Sequence, residues 1–179
     1  SNIEPASRLF LQESSFFYLT GCNEPGIIIA YDLNGTSTLG TSTLYEPLFA
    51  TDRTQWMPVT TRELLKSNGG MIDKSATMGD PITGYQFPSF FKREEISHLL
   101  AVLKAVAQAG KKIFTLYPDT STEYEEQRHM LERLCLFEPS LKAALVDISY
   151  MVTAMRVKKD EDEIDFMNDA IEATIAAQC

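Results

Sequence analysis

The side chains best suited to metal binding are few and far apart in this sequence. Its two histidines are His98 and His129, and the surrounding patterns place them on different helices. A metal site on one helix needs two ligands on one face, and neither histidine forms an H-x-x-x-H or H-x-x-E-H arrangement. Surface or capping roles are commoner for such residues. The sequence therefore predicts no metal ligand here.

Three other stretches contain groups that could do chemistry, and each has a simpler explanation. The acidic run 160–165 lacks the glycine and the closing glutamate of an EF-hand loop, whereas carboxylates are stabilised at a helix start by the macrodipole. Ser14-Ser15 has no adjacent histidine and no G-x-S-x-G turn that would make a nucleophile. Gly69-Gly70 is too short to cradle a phosphate. We therefore expect this part of the protein to be catalytically inert.

Composition sets the broad class. The 179 residues are 44% hydrophobic and carry a formal net charge of −9, which fits one α/β domain and argues against a nucleic-acid partner. No apolar run approaches the roughly 18 residues of a membrane span, and no signal peptide is evident. Cys22, Cys135 and Cys179 are odd in number without C-x-x-C spacing, so free thiols in a reducing compartment are expected. We therefore expect a cytoplasmic protein without membrane contact.

The first third of the chain has the pattern of a β-structure. Residues 16–20 are aromatic and β-branched, which predicts a strand, and Gly21 with the turn residues 23–26 ends it. Residues 27–33 are almost continuously apolar, as in a strand covered on both faces. Asn34-Gly35 then predicts a two-residue type I′ hairpin into a second arm, 36–45, with Gly40 as a candidate bulge.

The remaining two thirds alternate between helix and strand patterns. Helix followed by strand indicates a parallel crossover. The predicted elements are a short helix within 51–65, an irregular segment 71–91, an amphipathic helix 94–109 stopped by Gly110, a strand 113–117, a helix 122–137, a strand 141–148, a helical turn 150–155 and a long helix from Asp160 onward with Ile164, Met167, Ile171 and Ile175 on one stripe.

In two segments the residue identities are more informative than the spacing of apolar residues. The first includes Gln12-Glu13-Ser14-Ser15-Phe16-Phe17, the Glu24-Pro25 turn and, later, Thr54-Gln55-Trp56-Met57. It resembles the N-terminal domain of the creatinase/aminopeptidase P/prolidase family, with Leu11 where that family usually has arginine, and looks closest to the prolidase branch. The resemblance implies an α/β fold with a mixed β-sheet flanked by helices and a ribonuclease H-like motif.

The second segment lies at the other end of the sequence. Residues 156–164, from Arg156 through Lys158-Lys159 to Glu163-Ile164, followed by Met167, resemble the linker and first helix that lead into the family's pita-bread catalytic domain. The resemblance therefore divides the chain into an N-terminal domain, 1–155, and a linker with a truncated first helix, 156–179. Residues 1–8 are too few for the helix and strand with which the family domain normally begins.

The family resemblance implies that the parent protein is an enzyme and that this chain is one of its non-catalytic domains. The parent would be a metal-dependent Xaa-Pro peptidase, either an Xaa-Pro dipeptidase or an aminopeptidase P. Its two Mn ions (or Zn or Co) are held by Asp, Asp, His, Glu and Glu in a catalytic domain beyond residue 179. The present chain would contribute to a homodimer and to the substrate entrance for proline-containing peptides, packed beside its own catalytic domain.

Trp56 and Arg53 are the candidate substrate-entrance residues. In the family a tryptophan at the matching place reaches towards the active site of the neighbouring subunit, and Arg53, about one helical turn earlier, could pair with a substrate carboxylate. A buried packing role for Trp56 is an equal alternative. The rival function is a peptide- or histone-binding module without the catalytic metal site, and a free-standing ligand-binding domain is a third possibility.

Overall fold

The computed structural model describes residues 13–22, 26–33, 40–48, 72–80, 82, 84, 91–117 and 124–178. Helices and strands alternate along these ranges, with a 3₁₀ turn directly before the second helix. The elements are α1 (Ser14–Thr20), β1 (Ile28–Asp32), β2 (Thr41–Pro47), β3 (Lys74–Met78), the 3₁₀ turn Glu94–Ile96, α2 (Ser97–Gln108), β4 (Ile113–Thr115), α3 (Glu125–Phe137), α4 (Leu141–Ala144), β5 (Leu145–Asp147), α5 (Ser149–Val157) and α6 (Glu161–Gln178).

The larger sheet is mixed and has the order β1-β2-β3 in the described ranges. β1 runs antiparallel to β2, with Ile28 opposite Tyr45, and β3 runs parallel to β2, with Lys74 opposite Thr43. β4 and β5 form a second, parallel pair, and the crossover between them contains α3. The predicted α/β class with a mixed sheet flanked by helices is confirmed.

One hydrophobic core joins the sheet to the helices. Its members come from β2, β3, α2, α3 and α4 and from the segment 91–96, so the apolar faces of these three helices pack against the sheet. The buried members are Tyr45, Met78, Phe91, Ile96, Leu99, Leu100, Leu131, Leu134 and Leu141. A smaller cluster of Cys22, Ile27 and Leu44 packs against Phe16 and brings α1 onto the sheet.

The strand predicted at 16–20 is wrong, because these residues form α1. The Glu13 carboxylate accepts hydrogen bonds from the backbone N–H groups of Ser15 and Phe16, each at 2.8 Å, and so satisfies two donors that a helix start leaves open. Gly21 ends the helix with φ at 65°, and its N–H donates to the Phe17 carbonyl at 2.7 Å. Both ends of this short helix are thus capped, and the caps outweigh the β-propensity of its aromatic residues.

The strand predicted at 27–33 is present as β1, but its predicted burial on both faces is wrong. Tyr31 is 53% exposed, and in the described residues β1 pairs only with β2. The predicted two-residue hairpin is also wrong in register. It would place Asp32 opposite Ser37, whereas Asp32 pairs with Thr41. Asn34 and Gly35 themselves lie outside the described residues.

Two further predictions need correction. The segment 71–91, predicted to be irregular, contains β3. The strand predicted at 141–148 is a four-residue helix, α4, followed by the three-residue β5. The other helices and strands predicted after residue 91 are confirmed within a few residues of their ends. The short helix predicted within 51–65 lies outside the described ranges.

Asp73, directly before β3, holds this strand against β2 through hydrogen bonds that the sequence pattern does not predict. Asp73 accepts hydrogen bonds from the backbone N–H and the hydroxyl of Ser42, at 2.7 and 2.9 Å, and its own N–H donates to the Ser42 hydroxyl at 3.0 Å. The hydrogen bonds from the Ser42 backbone and side chain lower the pKa of Asp73 below its ordinary value. The clamp fixes the parallel register with Thr43 opposite Lys74.

The Asp73 clamp predicts an acid-sensitive stability. A carboxyl whose pKa is lower in the folded protein contributes stability that is complete above the unfolded pKa and is lost as the pH falls through the folded pKa. We expect the stability advantage of the native protein over Asp73→Asn to be constant near neutrality and to shrink below pH 3.8, the ordinary value for this group. Urea unfolding across the acid range measures it. Asp169→Asn, at an exposed position on α6, is the control. If the difference in unfolding free energy from the native protein changed with pH equally for Asp73→Asn and Asp169→Asn, the prediction would be contradicted.

Candidate functional site

The residues singled out from the sequence as chemical candidates do not form a site in the described ranges. Trp56 and Arg53 lie outside those ranges, so their role stays a prediction. His98 on α2 and His129 on α3 are both exposed. Across the residues that the structure describes, no group of three His, Cys, Asp or Glu side chains is placed to hold a metal ion. None of the described helices has the length and apolar character needed to cross a bilayer.

The most connected polar cluster joins residues from both ends of the sequence. It consists of Glu13, Ser15, Tyr124 and Arg156, and we call it the polar junction. The Arg156 Nη1 donates to the Ser15 hydroxyl at 2.9 Å, the Ser15 and Tyr124 hydroxyls lie 3.1 Å apart, and the Tyr124 hydroxyl donates to Glu13 Oε1 at 3.0 Å. The junction therefore fastens the starts of α1 and α3 to the last turn of α5.

The two ends of the polar junction fix the direction of its hydrogen bonds. A guanidinium only donates and an ionised carboxylate only accepts. Because the Tyr124 proton is used on Glu13, the Ser15 hydroxyl must donate to Tyr124 while it accepts from Arg156. The result is a one-way chain from cation to carboxylate through two hydroxyls. The hydrogen bonds within such a chain polarise one another, and a charged group at each end makes the bonds to it stronger.

Because the polar junction is partly buried, its hydrogen bonds matter for the stability of the fold. Ser15 is 3% exposed, and Glu13, Tyr124 and Arg156 are half-buried. A buried hydroxyl that loses its partner keeps the desolvation cost without the compensating hydrogen bond. The Ser15 hydroxyl is held by an arginine and a tyrosine, and in the described residues no histidine is among its hydrogen-bond partners. The arrangement therefore suits positioning and not nucleophilic attack.

The connection between α5 and α6 is itself ordered by side chains. Lys159 Nζ donates to the carbonyl oxygen of Arg156, at the end of α5. Asp160 and Glu163 form a reciprocal capping box at the start of α6: the Glu163 N–H donates to Asp160 Oδ1 at 2.8 Å, and the Asp160 N–H donates to Glu163 Oε2 at 3.0 Å. The acidic run 160–165 therefore has the helix-start role that its sequence indicated.

Sequence reasoning identified both segments that meet in the junction but not their contact. Ser15 and Arg156 are 141 residues apart, and Tyr124 is 109 residues from Ser15. Periodicity carries no information on which loop ends meet. The one local signal was Glu13 directly before a pair of serines, a carboxylate in position to cap a helix start.

The junction predicts coupled losses of stability. Ser15→Ala removes the central hydroxyl and leaves the Arg156 donor and the Tyr124 oxygen without this partner, so we expect the free energy of unfolding to fall by about 1–3 kcal/mol. Tyr124→Phe should also destabilise. The double variant should lose less than the sum, since both changes break one chain. Urea unfolding of the four proteins measures this, with the exposed Ser14→Ala as the control. Strict additivity would contradict the shared chain.

The comparisons with known proteins agree with this architecture. Residues 4–72 match the family model described as the aminopeptidase P N-terminal domain. The fold is similar to the solved structure of a protein from Bacillus anthracis assigned as an aminopeptidase P, with a TM-score of 0.54 and 18% sequence identity. That similarity covers 90% of this chain and 34% of the Bacillus protein, so the chain spans about a third of its length. No curated protein matches the chain.

The comparisons confirm the resemblance to the aminopeptidase P N-terminal domain, whereas the resemblance of residues 156–164 to a linker into the catalytic domain stays a prediction. The matched range includes the Gln12-Glu13-Ser14 stretch that carried the first part of the resemblance, while the structural similarity extends over nearly the whole chain. At 18% sequence identity the structural similarity is evidence for a shared fold alone. A closer relation to the prolidase branch stays a prediction.

Proposed function

We propose that this chain is the non-catalytic N-terminal domain of a metal-dependent Xaa-Pro peptidase, either an Xaa-Pro dipeptidase or an aminopeptidase P. The observation that carries the proposal is the match of residues 4–72 to the aminopeptidase P N-terminal domain, on a fold that is similar over 90% of the chain. The similarity covers only 34% of the protein from Bacillus anthracis with that fold, which is therefore much longer than this chain. We therefore propose that a catalytic domain succeeds this one in the natural protein.

The division into 1–155 and 156–179 belongs to the same proposal. α6 is an 18-residue helix that buries none of its residues against the rest of the described structure. Its apolar stripe, Ile164, Met167, Ile171 and Ile175, is exposed along its whole length. An amphipathic helix needs a partner for such a stripe. We propose that the catalytic domain supplies that partner and that α6 is its first helix.

The domain's own work would be to support the dimer and to shape the substrate entrance. The described side chains do not fit a metal centre, since no three candidate ligands converge in them, and no step of peptide hydrolysis is assigned to them. The two metal ions, Mn or else Zn or Co, belong in this proposal to the catalytic domain. Proline-containing peptides are the proposed substrates, in a cytoplasmic homodimer.

Trp56 is the proposed entrance residue, with Arg53 beside it. A rigid aromatic surface can orient a peptide at low entropic cost, and an arginine can pair with its carboxylate. In the uninterrupted protein, Trp56→Ala should raise the KM for a proline peptide several-fold with little change in the unfolding midpoint. A packing role for Trp56 would instead lower the midpoint and leave the KM unchanged, which would contradict the entrance role.

The gene beyond the codon for Cys179 separates this proposal from a peptide- or histone-binding module. Asp, Asp, His, Glu and Glu, in that order and in a domain of the size seen in the longer relative, would support a peptidase. A C-terminal domain without those ligands, together with a Kd for histone peptides measurable by calorimetry, would overturn the peptidase proposal in favour of the binding module.

A further inference from the structure

The direction of α6 is not set by packing. None of its residues from Glu161 to Gln178 is buried, so the hydrophobic contacts that normally orient a helix are missing from the described structure. Its orientation must then come from the chain that leads into it. The capping box of Asp160 and Glu163 and the contact of Lys159 with the Arg156 carbonyl order residues 158–160, so the direction of α6 depends on that of α5.

α5 is anchored at two points. At its start, Asp147 Oδ1 accepts hydrogen bonds from the N–H groups of Tyr117 and Ser149, both at 2.9 Å, and from the Ser149 hydroxyl at 2.5 Å. At its end lies Arg156 in the polar junction. Between them, Val152 is the one buried residue of the helix.

The rest of α5 faces away from the domain. Four large apolar side chains of this nine-residue helix are exposed: Tyr150, Met151, Met155 and Val157. With so little buried surface, the anchor at each end decides the orientation of the helix. Losing the anchor at the end would leave α5 free to pivot about Asp147 and Val152.

We infer that the polar junction is a positioning device: through Arg156 it holds the last turn of α5 on α1 and thereby sets the direction in which α6 leaves the domain. The two sequence segments that resemble the family meet here, Glu13 and Ser15 from one and Arg156 from the other. Arg156 is a positioning residue that acts through Ser15 and Tyr124. The inference concerns this chain alone and holds whether or not a catalytic domain succeeds α6.

A distance across the connection tests the device directly. Spin labels attached through a ketone-bearing non-natural residue at the exposed positions 132 on α3 and 172 on α6 leave the three cysteines untouched. Pulsed electron resonance then gives the distribution of distances between α3 and α6. We expect one narrow distribution for the native chain and a broader, shifted one for Arg156→Ala.

The matched control is Lys158→Ala. It removes one positive charge two residues away at an exposed position and leaves the junction intact, so its distribution should remain native. An unchanged distribution in Arg156→Ala, or equal broadening in both variants, would overturn the inference even if Arg156→Ala lowers the unfolding midpoint. If Arg156→Ala does not fold, Ser15→Ala decides, because it removes the acceptor of the Arg156 guanidinium: broadening supports the device, and a native distribution overturns it.

Discussion

Replacing Phe91 with alanine is expected to lower the free energy of unfolding by about 3–5 kcal/mol, the usual cost of removing a core phenylalanine. Phe91 is 0% exposed and belongs to the main core. Its ring meets Phe137 edge to face with centroids 6.0 Å apart, and the Arg133 guanidinium lies 5.3 Å from the ring centroid. The Arg133 Nε also donates to the Phe91 carbonyl at 2.8 Å, which joins α3 to the segment before α2. The substitution removes both ring contacts as well as the buried area.

The same substitution at Phe166 is the matched control. Phe166 lies on α6 and is 75% exposed, so it loses little buried area, and alanine is a good helix former. Denaturant unfolding of both variants gives the two losses. Equal losses at Phe91 and Phe166 would contradict the assignment of the core.

Replacing Glu95 with methionine is expected to have the opposite sign and to raise the free energy of unfolding by about 1–3 kcal/mol. Glu95 is 4% exposed, and neither of its carboxylate oxygens has a hydrogen-bond partner in the described structure. The backbone holds it in place, because the Gly79 N–H donates to the Glu95 carbonyl at 2.8 Å. A buried carboxylate without a partner costs free energy, whereas a methionine of similar length fills the same space with apolar atoms.

Its neighbour Glu94 provides the control for Glu95. Glu94 belongs to the same 3₁₀ turn but is exposed, so Glu94→Met removes only a favourable interaction with the helix start and should be slightly destabilising. Thermal and urea unfolding of the two variants should therefore shift in opposite directions. A loss of stability in Glu95→Met comparable to that of a core truncation would show that the carboxylate has a partner and would contradict the account.

The elements that the sequence predicted correctly are those with a complete local signal. α2 has apolar residues at helical spacing and a glycine, Gly110, at its end with φ at 70°. The antiparallel pairing of β1 with β2 was predicted from the apolar run 27–33 and the Asn34-Gly35 turn signal, although the register differs from the one that this turn predicts. In these cases the local sequence pattern, including the residues that end or turn the element, is enough to predict the element.

The elements that the sequence missed depend on contacts between distant residues or on caps. α1 has the composition of a strand and becomes a helix through the Glu13 cap. β3 has no strong pattern of its own and is held by Asp73, whose partner Ser42 lies 31 residues earlier. The polar junction needs Tyr124 and Arg156 to reach Ser15 across more than a hundred residues. Propensity and period cannot contain such information, because tertiary contacts decide it.

The measurement that tests the central claim most directly compares this chain with its uninterrupted gene product. Both are assayed on an Ala-Pro dipeptide and on an Xaa-Pro-Yaa tripeptide, with added Mn²⁺ and after chelation. The account predicts metal-dependent cleavage by the long form and none by residues 1–179, with the preferred substrate separating a dipeptidase from an aminopeptidase P. A long form that is also inactive on both substrates, or a shorter chain that cleaves either one, would contradict it.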